Sequence, residues 1–250
     1  MGHKHASFSN ADKAILEKGD ADVVSMARPF LADPNIVNKA MNNQVDEINT
    51  CIGCNQACLD HTVMGITASC LVNPMAGHEQ ELVIKPTTRP QKIAVIGAGP
   101  AGLAFAMTAA EIGHSVALYD SANEIGGQFN MAKVIPGKEE FHETIRYFNT
   151  MLKKHKVDVK LGTRVDANLV KAGGFESVVI ATGVSPRTPG IPGIDHPKVL
   201  SYIDVLKQTK SSARRSRSSA REASASTSRS SSCTTALRPS PRTTCLLAGT

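Results

Sequence analysis

The sequence predicts an α/β chain, and three observations carry that prediction. A Gly-x-Gly-x-x-Gly turn, Gly97-Ala98-Gly99-Pro100-Ala101-Gly102, joins an apolar strand pattern to a helical one. A second strand pattern closes on Asp120, and further ones recur as far as Ala181. Upstream, Cys51, Cys54, Cys58 and Cys70 form a C-x2-C-x3-C-x11-C array in a stretch with little periodicity. With 250 residues, 41% of them hydrophobic, the chain is long enough to bury a real core.

Taken in order, residues 11–19 read as a short amphipathic helix stopped by Gly19. Asp22 to Met26 reads as a short buried strand with Arg28 at its C-terminal end, and Pro34 to Met41 as a helix capped by Asp33. This run is too small to bury its own strand and is the end of a larger unit. Residues 49–78 form the cysteine loop and 79–91 a linker. Strands are expected at Lys92–Ile96, Val116–Tyr119, Val157–Leu161 and Ser177–Ala181, and helices at Ala101–Ile112 and Lys138–His155. Val199–Leu206 is the last recognisable segment.

Composition changes after Lys210. Residues 211–250 hold twelve Ser, seven Arg and one Glu, and these charges account for the whole formal net charge of +6. Residues 1–210 are balanced, so the globular part lacks the electrostatic footprint of a nucleic-acid or anionic-membrane binder. No run approaches the ~20 apolar residues of a membrane span, and no apolar signal region opens the chain, which makes the cytoplasm the expected compartment. The Arg/Ser tail is read as disordered.

Four closely spaced thiolates suit a soft metal centre. Three cysteines bunched within eight residues plus a distant fourth favour a 4Fe–4S cluster, near the ferredoxin spacing. Zinc, which prefers two separated knuckles, and free or oxidised thiols, the disulfide being disfavoured in the cytoplasm, are the alternatives. In the glycine turn, Gly97 permits the tight bend, Gly99 lets the backbone approach a pyrophosphate, and Gly102 allows close helix–strand packing. Pro100 and Ala101 open the helix whose N-terminus would meet the phosphates. Asp120 would accept hydrogen bonds from a ribose, or else is a solvated strand-end carboxylate. A second glycine pair in Glu124-Ile125-Gly126-Gly127-Gln128, with Ala181-Thr182-Gly183 after a later strand, favours FAD over a nicotinamide at this turn.

The stretches VSMARPFLADP, EINTCIGCNQACLD, SCLVNP, IAVIGAGPAGLAFA, EIGGQFN, IPGKEEF and GIDHPKVLSY together resemble the bacterial NADPH-dependent 2,4-dienoyl-CoA reductases, from about Val23 to Leu206. The resemblance implies that residues 1–48 are the last βα unit of an FMN-binding TIM barrel, 49–78 an Fe–S loop, and 92–210 an incomplete Rossmann-like FAD domain. Ala27 and Arg28 would meet the FMN phosphate, and Cys51, Cys54, Cys58 and Cys70 would ligate the cluster. Ala101, Asp120, Gln128, Lys138 and the backbone at Val165 would meet FAD. Electrons would run from NADPH through FAD, cluster and FMN to a 2,4-dienoyl-CoA or another unsaturated small molecule. A related NADH-linked flavin oxidoreductase or enoate reductase is the alternative within enzymes. An Arg/Ser-tailed nucleic-acid-binding module with a structural metal site is the alternative outside them.

The barrel residues expected to protonate substrate are absent, so no catalytic residue is assigned and the chain is expected to be inactive alone. In place of the family's NADPH-binding insert stands the Arg/Ser tail. One codon choice for Ser212–Thr227 reads in a shifted frame as GKKVAIIGAGGIGFD, a strand and a second dinucleotide turn, so 211–250 is read as a frameshift product. Sequencing the gene across codons 205–215 should reveal that frame; codons incompatible with it would refute the reading.

Overall fold

A β-strand needs a neighbour to bond to, and among the described residues none stands beside 22–26. In the computed structural model, which describes residues 15–207, this segment is irregular and Val23 is 79% exposed. The expected strand is therefore absent, because no parallel partner supplies its ladder bonds. Of the first expected helix, 15–17 are helical and the start lies outside the described residues, as does the Arg/Ser tail.

The chain next forms two short helices, α1 (Arg28–Ala32) and α2 (Ile36–Met41). Pro29 lies in the first turn of α1, where its missing N–H costs nothing. Asp33 does not cap α2 directly; Asn35 holds the N-cap position and its N–H donates to Asp33 Oδ1 at 3.0 Å. The other carboxylate oxygen accepts from the Asn49 N–H at 2.9 Å and from Lys39 Nζ at 2.6 Å. Buried Asp33 thus ties the helices to the segment that leads into Cys51. A 3-10 turn (Val45–Glu47) follows, and α3 (Leu59–Val63) interrupts the cysteine loop.

The second half is a layered α/β unit. Strands β1 (Lys92–Ile96) and β2 (Ser115–Tyr119) flank helix α4 (Pro100–Glu111). After α5 (Phe129–Ala132) and α6 (Glu140–Lys154) come β3 (Asp158–Lys160), α7 (Ala167–Ala172), β4 (Ser177–Ile180) and α8 (Tyr202–Leu206). All strand pairs are parallel, in the order β3-β2-β1-β4. The expected strands are present, shortened by a residue or two in β3 and β4. The short helices α5 and α7 were not legible in the sequence.

Strand alternation decides the core. Ile93, Val95, Val116 and Leu118 face one side, where Leu103 and Ala106 of α4 and Leu152 of α6 complete a cluster. Ala94, Ala117 and Tyr119 face the other side, under Val165, Leu169 and Phe175. Both faces are covered, as a parallel sheet requires.

Helix α6 joins the two halves. Arg146 donates from Nη1 to the Val45 carbonyl at 3.1 Å, and from Nη2 to the Ile48 carbonyl at 3.1 Å and the Thr50 hydroxyl at 3.3 Å. Its Nε bonds Glu143 Oε2 at 2.7 Å, and Lys154 pairs with Glu47 at 2.5 Å. Tyr147 of the same helix is buried; burial first, then the carboxylates of Asp33, Glu111 and Glu47, push its hydroxyl up to about 12. Hydrogen bonds from a charged donor contribute about 1.5–3 kcal/mol each when their loss strands a partner. Arg146→Ala should therefore lower amide exchange protection in 45–55 at least tenfold while leaving β1 and β2 protected, read by hydrogen–deuterium exchange with mass spectrometry.

Candidate functional site

The glycine turn follows from where a Cβ would fit. Gly97 has φ +112°, and a Cβ there would overlap the Ala181 carbonyl. A Cβ on Gly102 would overlap the Gly97 carbonyl. Gly99 differs: its Cβ position faces open space, with no atom within 4 Å. Two glycines therefore permit backbone packing, and the third leaves a cradle. Gly99 is the N-cap of α4 and makes no side-chain cap bond. The opening N–H groups of this twelve-residue helix, from Ala101 onward, point at that cradle with the positive end of the helix dipole, which suits an anion.

The other dinucleotide residues converge here in part. Asp120 Oδ2 accepts from the Ala98 N–H at 2.6 Å, and Oδ1 from the Ala122 N–H at 2.8 Å. The Gly126 N–H donates to the Ala98 carbonyl at 2.7 Å, and a Cβ on Gly127 would sit 3.1 Å from Gly99 Cα. Gln128 Nε2 donates to the Val184 carbonyl at 3.2 Å, joining the second glycine pair to the loop of Ala181, Thr182 and Gly183. Lys138 and Val165 are held by other contacts: Lys138 Nζ lies 5.8 Å from the Phe141 ring centroid, and Val165 packs in the second core layer.

All four cysteines line one small pocket, partly open to solvent, with Arg28, Asn55 and the apolar Leu31, Ile52, Ala57 and Leu71. The thiols are free. Burial pushes the Cys51 and Cys70 thiols up, and backbone N–H groups oppose it, from Gly53 to Cys51 and from Val72 and Asn73 to Cys70. Among the described residues no three His, Cys, Asp or Glu side chains stand in a metal-ligating arrangement. The four sulfurs thus share a cavity without forming a closed ligand set.

Asparagines frame that cavity, and sequence reasoning missed them. Asn49 Nδ2 donates to the Val72 carbonyl at 2.7 Å, and Asn73 Nδ2 to the Leu31 carbonyl at 2.8 Å. Asn55, at φ +61°, accepts from Arg28 Nη1 at 2.6 Å. Arg28 therefore stands at the cysteine cavity, and Ala27 immediately precedes its helix as the N-cap of α1. The available signal was the repeated pairing of Asn with cysteine segments, which spacing rules for ligands do not weigh.

A family profile described as pyridine nucleotide-disulphide oxidoreductase matches residues 91–221. A metal reductase of Desulforamulus reducens is 43% identical over 198 residues, covering 78% of this chain and 30% of that protein. An NADH oxidase of Thermoanaerobacter brockii is 37% identical over 200 residues, covering 78% and 31%. The solved complex of 2-naphthoyl-CoA reductase with 2-naphthoyl-CoA superposes with a TM-score of 0.80 at 31% identity, covering 84% of this chain and 33% of that one. The chain thus spans about a third of the length of these relatives. Among its described residues no helix is long and apolar enough to cross a membrane. With its parallel sheet, glycine turn and this profile match over 91–221, the chain belongs to the pyridine nucleotide-disulphide oxidoreductase family, and its relatives are flavin oxidoreductases.

Proposed function

We propose that this chain is the electron-relay portion of a flavin and iron–sulfur oxidoreductase resembling NADPH-dependent 2,4-dienoyl-CoA reductase. The observation that carries the reading is the sharing of one cavity by four free thiols, in a loop bonded through Arg146 to the dinucleotide-type unit. The residues present suit the implied groups. Cys51, Cys54, Cys58 and Cys70 supply four sulfurs, and the N–H groups of Gly53, on Cys51, and of Val72 and Asn73, on Cys70, favour the charged form there. Gly99 leaves open space for a pyrophosphate, and the N-terminus of α4 offers it N–H donors.

In this reading Gly97, Gly99, Pro100, Ala101 and Gly102 receive the FAD phosphates, and Asp120 the ribose. Gly127, Gln128, Lys138, Val165, Ala181, Thr182 and Gly183 complete the flavin contacts. Ala27 and Arg28 belong to an FMN phosphate site at the end of a barrel whose other strands lie outside this chain. A bound cluster would supply one-electron transfer between two flavins held too far apart for direct hydride transfer. The chain's own residues hold, space and charge-balance those groups; proton delivery to an unsaturated acyl-CoA belongs to the missing barrel. The reading further places residues 1–48, 49–78 and 92–210 as barrel remnant, cluster loop and FAD unit.

A second enzyme reading, an NADH-linked reductase or oxidase of the same superfamily, is favoured by the NADH oxidase relative. The relay residues serve either, since the electron source and the substrate pocket lie elsewhere.

Anaerobic reconstitution should load about four irons per chain with matching sulfide, and Cys58→Ser should lose most of that iron and its visible absorption. A single zinc ion with no iron chromophore would overturn the cluster assignment. Gly99→Val should fill the open cradle without a clash, leaving the thermal midpoint within a few degrees of the parent. It should weaken FAD binding at least tenfold in a flavin-fluorescence titration; equal binding would place FAD elsewhere.

A further inference from the structure

Arg28 and Asn55 make a contact that ligand spacing does not demand. They are separated by 27 residues, and the Nη1 to Oδ1 distance is 2.6 Å, short for a charge-assisted bond. Asn55 stands at φ +61°, a left-handed conformation that asparagine tolerates better than most residues. Its backbone and its side-chain oxygen are therefore used together: the bend of the cysteine loop presents the oxygen to the guanidinium. The helix that carries Arg28 is pinned from the other side of the cavity as well, by Asn73 Nδ2 on the Leu31 carbonyl at 2.8 Å. Arg28, Leu31, Asn55 and all four cysteines line the same space. The guanidinium is thus fixed beside the sulfurs by both walls.

We propose that Arg28, anchored by Asn55, acts as a fixed positive charge for the sulfur-bound redox centre and raises its reduction potential. The inference rests on the cluster reading above and goes beyond it by assigning Arg28 to the sulfur site as well as to a cofactor phosphate. Reduction adds one electron to a centre already surrounded by thiolates, so the reduced form carries one more negative charge. A neighbouring cation stabilises that form more than the oxidised one. Asn55 is a positioning residue: its oxygen fixes one arm of the guanidinium toward the cysteine loop. Lysine would keep the charge but lose the planar fork.

The test compares the full chain with Arg28→Met, Arg28→Lys and Asn55→Gly, the last chosen because glycine accepts the left-handed backbone. Each is reconstituted anaerobically with ferrous iron and sulfide, assayed for both, and titrated potentiometrically with dithionite under EPR. The expected result is a potential shifted down in Arg28→Met, down by less in Asn55→Gly, and close to the parent in Arg28→Lys. Equal potentials for all four proteins at equal iron load would overturn the inference while leaving the cluster assignment standing. If Arg28→Met fails to hold iron, Asn55→Gly decides: a lowered potential supports the inference and an unchanged one overturns it. A parent chain that assembles no iron–sulfur chromophore would remove both.

Discussion

Residues 45–50 bridge the short helices and helix α6 of the sheet unit, and both halves depend on how that crossing is bonded. On one side the Asn49 N–H is held by buried Asp33; on the other the carbonyls of Val45 and Ile48 are held by Arg146. Main-chain groups buried at a crossing without a ladder must find side-chain partners. Here the partners are a carboxylate and a guanidinium, whose bonds are stronger than neutral ones. Cys51 comes immediately after this segment, so the position of the first sulfur is inherited from it. The separation between the cysteine cavity and the glycine turn is then set by a helix, α6, whose apolar face is packed into the sheet's core through Leu152.

The parallel sheet and its glycine turn were legible because their signals are local. Strand alternation, a turn at fixed spacing and an acidic residue closing the second strand each state a backbone requirement within a few residues. Ile93 and Val95 fall on one face and Ala94 on the other, as period two demands. The segment 22–26 reads like a strand by the same rules, yet it is irregular because a strand is a property of pairs and no described strand stands beside it. The helix start at Asp33 was displaced for a related reason. A buried carboxylate does more by holding Asn49 and Lys39 across the chain than by capping its own helix. The framing asparagines and Arg146 were invisible because their partners lie 23 to 101 residues away.

Asp120 shows how one side chain can organise a turn and still keep acceptor directions open. Each of its oxygens accepts one main-chain bond, from Ala98 and from Ala122. A carboxylate offers about four acceptor directions, so these bonds fix its orientation without exhausting it. The bond to Ala98 also shapes the turn between Gly97 and Gly99, while the Ala98 carbonyl holds Gly126. Glycine turn, strand-end acid and second glycine pair are therefore one bonded unit. Disturbing any member displaces the others.

The cysteine cavity obeys a different economy. In partly buried, largely apolar surroundings the Cys51 and Cys70 thiols are pushed up and resist ionisation. A soft cation removes that conflict by taking the protons' place. Without one, the backbone N–H groups of Gly53, Val72 and Asn73 and the charge of Arg28 offset only part of the burial. The loop is built so that its favourable interactions are made toward negative sulfur, and the walls that carry them are tied to α1, to the crossing segment and, through Arg146, to α6.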